Sequence, residues 1–263
     1  MQSETRSQKI AVTGATGRVG SPLVEILERR GHDVVSIARS VGVDVVSGEG
    51  LDEALAGAET IIDTATGPSP DQEAATEFFT ASARNLQRAG AEAGARRIVV
   101  VSIIGIDKFH GGYNAAKVAQ ERTLLEGPLP VRIVRAAQFH EFVEPLVGWT
   151  IQDGVAHVPE MRTQLVAARV VAETLADAAE EPEAGNGRIT EVAGPRAERL
   201  ADVAAALLAS RGDSFEIRES RESVLVPAGD PDAEAYAKGA ALPNPGAKLA
   251  GPSFEEWLTT VKV

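Results

Sequence analysis

Short apolar runs alternate along this chain with longer stretches in which apolar residues recur every three or four positions. The first apolar run is Lys9–Thr13, and the helical stretch after it, residues 19–30, places Leu23 and Leu27 on one face. The β-branched run at 96–102 is typical of a strand that is buried on both faces of a parallel sheet. Because strands that alternate with helices form such sheets, the pattern predicts an α/β fold with a doubly wound parallel sheet.

The same pattern places the remaining elements. Further strands are predicted at residues 33–38, 43–46, 59–64, 131–135, 155–158, 188–192 and 215–218. Helices are predicted at residues 51–55, 73–94, 113–126, 141–150, 166–179, 200–210 and 254–261. Residues 229–251 are rich in Gly, Pro, Ala and Asp, so we expect an irregular or mobile segment there.

No internal repeat or linker divides the chain, so we predict a single domain over residues 1–263. The segment from about residue 139 onward is expected to form most of a small C-terminal substrate lobe. Ligands of such folds bind at the carboxyl edge of the sheet, and we place that lobe there.

Composition excludes several classes of function. The 26 basic and 38 acidic residues give a formal net charge of −12, which argues against nucleic acid as a partner. The absence of cysteine excludes disulfides, a thiolate nucleophile and thiolate zinc sites, and no spacing of His, Asp and Glu indicates a metal. Residues 1–8 lack the apolar core of a signal peptide, and no apolar run approaches the roughly 20 residues of a membrane helix. We therefore expect a cytoplasmic protein that does not bind membranes and whose partner is a small-molecule substrate.

A glycine-rich loop joins the first strand to the first helix. Gly14 permits a tight turn, Gly17 permits a close approach of the backbone to phosphates, and Gly20 permits close packing of the helix on the strand. The N–H groups at the helix N-terminus then face the anion. The alternative is an ordinary turn between a strand and a helix. The loop predicts a Rossmann dinucleotide site formed by Thr13, Gly14, Thr16, Gly17, Arg18, Val19 and Gly20.

The end of the second strand indicates which dinucleotide binds. An acidic residue near this position holds the ribose hydroxyls of NAD, whereas an arginine suits the 2′-phosphate of NADP. This chain has Arg39 and Ser40 there and no acidic residue at the strand end, and Arg18 is a second candidate for the same phosphate. We therefore expect NADP(H) to be preferred over NAD(H), although a surface arginine at a strand end is the alternative.

Three further residues point to proton-transfer chemistry. Ser102 ends the buried strand, and Tyr113 and Lys117 are four apart on one helix, so they share a face. A lysine beside a phenol favours the phenolate and lowers the phenol's pKa, which allows the tyrosine to exchange a proton with a substrate oxygen. Ser102 is placed to hold that oxygen. A tyrosine and a lysine at this spacing also occur by chance, and that alternative stays open.

The glycine loop, Ser102 and the run from Tyr113 to Lys117 resemble the short-chain dehydrogenase/reductase superfamily. The branch is indicated by four further runs, at residues 67–70, 83–86, 101–107 and 135–142, which resemble the atypical, NmrA-like branch of NAD(P)H-binding proteins. The resemblance implies that Lys117 holds the nicotinamide ribose, that Tyr113 is the acid/base and that Ser102 orients the substrate. Since Ser102 and Tyr113 are only 11 residues apart, the loop at 107–112 must turn tightly.

The remaining candidates follow two other strands. Thr64, Ala65 and Thr66 follow the strand at 59–64 and are expected to line the cofactor's ribose by backbone contact. Phe139 and Phe142 are candidate walls for a planar apolar substrate such as a quinone, with Gln138 or His140 donating a hydrogen bond, unless both aromatics belong to the core.

The sequence thus predicts an NADPH-dependent oxidoreductase that acts on a small carbonyl, quinone or enone by hydride transfer. A non-catalytic NAD(P)H sensor and an isomerase or epimerase on the same scaffold remain the alternatives.

Overall fold

The structure is a computed structural model that describes residues 6–181, 188–213, 215–221, 226 and 229–261. Numbered in chain order, its strands are β1 Lys9–Thr13, β2 Asp33–Ile37, β3 Thr60–Asp63, β4 Arg97–Ile103, β5 Val131–Ala136, β6 Ile151–Gln152, β7 Val155–Pro159, β8 Arg162–Thr163, β9 Arg188–Ala193, β10 Glu198–Arg199, β11 Glu216–Ser220 and β12 Lys248–Leu249. Its helices are α1 Gly20–Arg29, α2 Leu51–Leu55, α3 Gln72–Glu92, α4 Gly112–Leu125, α5 Val143–Thr150, α6 Ala168–Glu180, α7 Leu200–Arg211, α8 Ala233–Ala237 and α9 Phe254–Leu258.

The described residues form a seven-stranded parallel sheet flanked by helices, which confirms the predicted fold class. The strand order is β12-β9-β5-β4-β3-β1-β2. The chain divides into two compact units. Unit 1 lies within Met1–Ser102, Ala115–Arg135 and Val171–Thr190, and unit 2 lies within Ile103–Asn114, Ala136–Val170 and Glu191–Val263.

In unit 1, β1 lies between β2 and β3 and runs parallel to both. Thr13, the last residue of β1, is in register with Ile37 on one side and Asp63 on the other. Because parallel strands that are in register end at the same edge, the segments after β1, β2 and β3 emerge together. The core beneath them is apolar and almost fully buried, and includes Ile61, Leu86 and Ile98.

Unit 2 has its own core and two small sheets. One sheet has the order β11-β7-β6, and the other pairs β10 with β8 in antiparallel fashion. Helices α5, α7 and α9 contribute Leu146, Leu207 and Phe254 to the core. Helix α9 begins with a capping box, in which Ser253 and Glu256 exchange side-chain to backbone hydrogen bonds.

The predicted strand at 43–46 is wrong, because these residues form a turn. Asp44 Oδ1 accepts hydrogen bonds from the backbone N–H groups of Val46 at 2.7 Å and Ser47 at 3.3 Å, an arrangement that closes a turn. The valines still pack against the core of unit 1, which explains the strand-like apolar pattern. Sequence analysis also missed the two-residue strands β6, β8, β10 and β12, which are too short to give a periodic signal.

Residues 229–251, described throughout, are largely irregular as predicted, although they include α8 and β12. No helix in the described part of the chain is both long enough and apolar enough to cross a membrane.

Candidate functional site

The glycine loop leaves the end of β1 and leads into α1 within unit 1. Gly17 N donates to Gly14 O at 2.8 Å, which closes the turn. Helix α1 begins at Gly20 with no side-chain cap and with no acidic residue in its first turn. Its first N–H groups therefore lack a side-chain acceptor of their own, as an anion-binding helix terminus requires. Thr16, Gly17 and Arg18 are exposed, while Val19 is buried and anchors the helix.

Steric contacts show why two of these positions are glycine. Gly14 has φ +65°, and a Cβ there would lie 2.7 Å from Thr64 O and 2.9 Å from the Cα of Ala65. A Cβ at Gly20 would lie 2.1 Å from Gly14 O. Glycine at these two positions therefore lets the loop pack directly against the backbone after β3 and lets α1 begin directly against the loop. The contact with Thr64 and Ala65 brings the two predicted cofactor segments together. Thr66, the third residue of the second segment, is exposed.

The arginines expected at the 2′-phosphate are both exposed. Arg39 begins a short 3₁₀ turn, Arg39–Val41, directly after β2, and Ser40 beside it is also exposed. Among the described residues, neither Arg18 nor Arg39 has an ion-pair partner. Both guanidinium groups thus retain their donors for a ligand.

Asp63, which sequence analysis missed, is the centre of a buried polar network at the end of β3. Its side chain is 1% exposed. Oδ1 accepts from Thr13 Oγ1 at 2.5 Å and from Ala65 N at 3.1 Å, and Oδ2 accepts from Gln120 Nε2 at 2.9 Å. Thr64 Oγ1 adds a hydrogen bond to Thr13 O at 2.6 Å. The carboxylate therefore fixes the starts of both predicted cofactor segments and reaches α4.

Lys117 lies on α4 at the other end of this network and is 4% exposed. Its ammonium donates to Gln120 Oε1 and, at 2.8 Å, to Val101 O, and it lies 4.5 Å from the centre of the Phe79 ring. Burial lowers the pKa of Lys117 to about 8, while the charges of Asp63 and Glu121 act to raise it.

Ser102 lies near the end of β4. It follows Val101, whose carbonyl accepts the hydrogen bond from Lys117. The residue is 3% exposed, and its Oγ has no hydrogen-bond partner. A buried hydroxyl without a hydrogen-bond partner lowers the stability of the fold by about 1–3 kcal/mol. A ligand that forms a hydrogen bond with Ser102 Oγ would remove this cost. Within unit 1, Lys117 thus contacts the residue that precedes Ser102.

Tyr113 lies in unit 2, in the first turn of α4, and is half-buried. The loop before it contains a 3₁₀ turn, Ile106–Lys108, and is fixed by residues that sequence analysis missed. Asp232 accepts from the backbone N–H groups of His110 and Gly111 at 2.9 Å. The ring of Tyr236 stacks on Phe109, and its hydroxyl accepts from Asn114 Nδ2 at 2.6 Å. Burial raises the pKa of Tyr236 to about 12, so this tyrosine is a neutral structural group.

The four predicted substrate residues also lie in unit 2, with different environments. Gln138 is half-buried and accepts from Thr163 Oγ1 at 2.7 Å. Phe139 is half-buried and forms a bridge to the segment at Val166, whereas Phe142 packs at the edge of the unit 2 core.

His140 is a core residue rather than an exposed hydrogen-bond donor, since it is 1% exposed. Its Nε2 lies 3.1 Å from Pro252 O, and its ring lies against Phe254 and Trp257. Burial lowers the pKa of His140, although the hydrogen bond to Pro252 O opposes the shift.

Comparison with known proteins agrees with the dinucleotide site that the glycine loop predicts. A family profile described as NAD(P)H-binding matches residues 14–182, well over half of the chain. A 4-hydroxy-tetrahydrodipicolinate reductase of Natronomonas pharaonis is 31% identical over 160 residues, which cover 59% of this chain and 54% of the reductase. The chain thus spans about half the length of that relative.

Solved structures with the same fold include a complex with NAD and an enzyme described as NADPH-dependent. The structure of MoeE5 in complex with UDP-glucose and NAD has a TM-score of 0.72 at 19% identity, with 96% of each chain covered. An NADPH-dependent quinone oxidoreductase from Escherichia coli has a TM-score of 0.66 at 20% identity, covering 95% of this chain and 98% of the other. At these identities the likeness establishes the fold alone. The profile match, which covers well over half of the residues, shows that this chain belongs to the NAD(P)H-binding family.

Proposed function

We propose that this protein is an NADPH-dependent oxidoreductase that reduces a small carbonyl, quinone or enone. The observation that carries the proposal is the hydroxyl of Ser102, which is buried at the end of β4 without a partner. Such a hydroxyl is a ready donor to a substrate oxygen on which negative charge develops. When bound, the reduced nicotinamide supplies the hydride.

The chain's own residues have separate tasks in this proposal. The glycine loop and the N-terminus of α1 bind the pyrophosphate through backbone N–H groups. Ser102 orients the substrate oxygen, and Tyr113 transfers the proton to it. Lys117 binds a ribose hydroxyl of the cofactor. A planar apolar substrate would be walled by Phe139 and Phe142, with Gln138 supplying a hydrogen bond.

Preference for NADPH over NADH rests on Arg39 and Arg18, which are exposed and have no ion-pair partner in the described part of the chain. Arg39→Ala should weaken NADPH binding by about tenfold or more while changing NADH binding little, because only NADPH carries the 2′-phosphate. Arg29→Ala is the matched control. It removes the same charge at the far end of α1, about 14 Å along the helix axis from the loop.

The first experiment is a fluorescence titration of the protein with NADPH and NADH, followed by addition of a panel of quinones, enones and aldehydes. The proposal expects tighter binding of NADPH and oxidation of NADPH on addition of an acceptor. Binding without turnover on any acceptor would contradict the enzymatic part, and failure to bind either dinucleotide would contradict the whole proposal.

A dinucleotide sensor is the second candidate, and the burial of Lys117 favours it, since two of this ammonium's donors already serve Gln120 and Val101. Tyr113→Phe separates the two functions. An enzyme should lose turnover and keep its NADPH affinity, because the hydroxyl carries the proton and is not a principal cofactor ligand. A sensor should show no turnover before or after the substitution.

A further inference from the structure

The buried ammonium of Lys117 and the buried carboxylate of Asp63 are not in direct contact. Gln120 lies between them, with Oε1 accepting from Lys117 Nζ and Nε2 donating to Asp63 Oδ2 at 2.9 Å. All three side chains are at most 4% exposed. The charges therefore fix the orientation of the amide, because only its oxygen can face an ammonium and only its NH₂ group can face a carboxylate.

At the Asp63 end of this hydrogen-bonded network, the carboxylate contacts both predicted cofactor segments. Asp63 Oδ1 binds Thr13, which precedes the glycine loop, and Ala65, which lies in the segment after β3. These two segments are in contact, since a Cβ at Gly14 would meet both Thr64 and Ala65. Displacement of the Asp63 carboxylate would thus move both segments.

At the other end of the network, the ammonium of Lys117 retains one N–H donor without an acceptor among the described residues. An ammonium has three N–H donors, of which Gln120 Oε1 and Val101 O accept one each. No other described residue accepts the third from Lys117. The face of the Phe79 ring, 4.5 Å away, restricts the ammonium further. The side chain is therefore held in one geometry with a single N–H available to a ligand.

We propose that Asp63 and Gln120 are positioning residues that join the glycine loop and Lys117 into one hydrogen-bonded unit, so that the loop geometry and the orientation of the lysine ammonium are set together. The proposal rests on the proposed function in one respect, namely that Lys117 binds the cofactor's ribose. Its structural core, the dependence of Lys117 on Asp63 through Gln120, is measurable without any turnover.

The titration of Lys117 reports this dependence. The charged groups that face it are Asp63 from β3 and Glu121 from its own helix, and Glu121 is itself paired with Arg135 of β5 at 2.7 Å. Tyr113 is the titratable residue one turn earlier on α4. Since the charge of Asp63 favours the protonated lysine, removal of that charge should lower the pKa of Lys117 below its value of about 8.

Asp63→Asn is the most selective substitution, because it replaces the acceptor of the Gln120 hydrogen bond with a donor and leaves the contacts with Thr13 and Ala65 in place. The Asn oxygen can still accept from Thr13 and Ala65, but its NH₂ group would face the NH₂ group of Gln120. Gln120 must then turn over and present its NH₂ group to the ammonium of Lys117, which loses its acceptor. In the double variant Asp63→Asn with Gln120→Glu, the new carboxylate at position 120 should accept from both the NH₂ group of the new asparagine and the Lys117 ammonium. Every donor then has an acceptor again, and the negative charge lies next to the lysine.

Thr13→Val makes the complementary change, because it removes the loop contact of Asp63 and leaves the amide bridge intact. Asp33→Asn is the charge control. Asp33 is an exposed carboxylate at the start of β2, so its loss changes the net charge by the same amount without touching the network.

The measurements are NMR titration of selectively ¹³C-labelled lysine and the Kd for NADPH. The chain has six lysines, and the signal missing from Lys117→Arg assigns Lys117. In Asp63→Asn, Lys117 should titrate at lower pH than in the unsubstituted protein, and the Kd at pH 7 should rise about tenfold, the effect of one hydrogen bond to a charged group. In the double variant, Lys117 should titrate at or above its pH in the unsubstituted protein, because the carboxylate then contacts the ammonium directly, and the Kd should return to within about threefold. Thr13→Val should raise the Kd without moving the lysine titration, and Asp33→Asn should change neither.

The proposal is overturned if Lys117 titrates at the same pH in Asp63→Asn as in the unsubstituted protein, or if the double variant is no better than Asp63→Asn. Should Asp63→Asn fail to fold, Gln120→Met removes the bridge alone and must lower the pKa of Lys117 in the same titration. Failure of the proposed function is a different result, because a protein that oxidises no NADPH with any acceptor can still show the predicted lysine shifts.

Discussion

Gly20→Ala tests the glycine loop most directly, because the helix favours the substitution and the loop opposes it. Alanine is the better helix former by about 0.8–1 kcal/mol, and Gly20 is the first residue of α1. The new Cβ, however, would lie 2.1 Å from Gly14 O and 2.9 Å from the Cα of Ala15. Ordinary van der Waals contact begins near 3.4 Å. The carbonyl must therefore move by more than about 1 Å in an interior that is closely packed.

This displacement sets the expected magnitude. Gly14 O accepts the 2.8 Å hydrogen bond from Gly17 N that closes the turn, so its movement reorients the N–H groups that we propose bind the pyrophosphate. A misplacement of 1 Å in a binding constellation costs about a hundredfold, or about 2.7 kcal/mol of binding free energy. We expect the Kd for NADPH to rise by about that factor.

The assay is a fluorescence titration with NADPH, accompanied by thermal unfolding to show that the variant is folded. Gly148→Ala in α5 is the matched control, since a Cβ there has no neighbour within 4 Å. It should raise the Tm slightly and leave the Kd unchanged. If folded Gly20→Ala binds NADPH within about threefold of the unsubstituted protein, the steric account of the loop is refuted.

Two further predictions concern stability. Glu121→Gln removes the carboxylate that balances Arg135, whose side chain is 8% exposed, and should lower the free energy of unfolding by about 3 kcal/mol in urea denaturation, whereas Glu126→Gln at an exposed position just after the same helix should change it by less than about 0.5 kcal/mol. Burial lowers the pKa of His140 below its ordinary 6.5, so the unfolded chain binds this proton at a higher pH than the native protein does. The stabilising contribution is complete above pH 6.5 and declines as the pH falls below it. Urea denaturation at several pH values should show a smaller decline in His140→Gln, while the half-buried control His157→Gln should retain it.

Local signals gave most of the fold and the cofactor segment. The apolar run Lys9–Thr13, the glycines after it and the helix from Gly20 are adjacent in sequence, so their pattern reflects their own backbone geometry. The same reasoning placed Ser102 at the end of β4 and Lys117 on α4. The turn at 43–46 was missed because valines that pack on a core from a turn look like a strand in sequence.

Contacts between distant segments were beyond the reach of such signals. Asp63 and Gln120 are 57 residues apart, and Asp232 fixes the backbone of His110 from 122 residues away. His140 looked like a site residue because it follows β5, yet α9 and Pro252 bury it.

The sequence by itself therefore determined the strand, the glycine loop and the helix to which we assign dinucleotide binding, because local backbone geometry needs glycine at fixed positions. Only the tertiary structure decided that Lys117 is buried, that Asp63 and Gln120 hold it, and that the hydroxyl of Ser102 is left without a partner. The physical reason is that burial and hydrogen-bond satisfaction depend on which segments meet in space, and residue spacing along the chain carries no record of that.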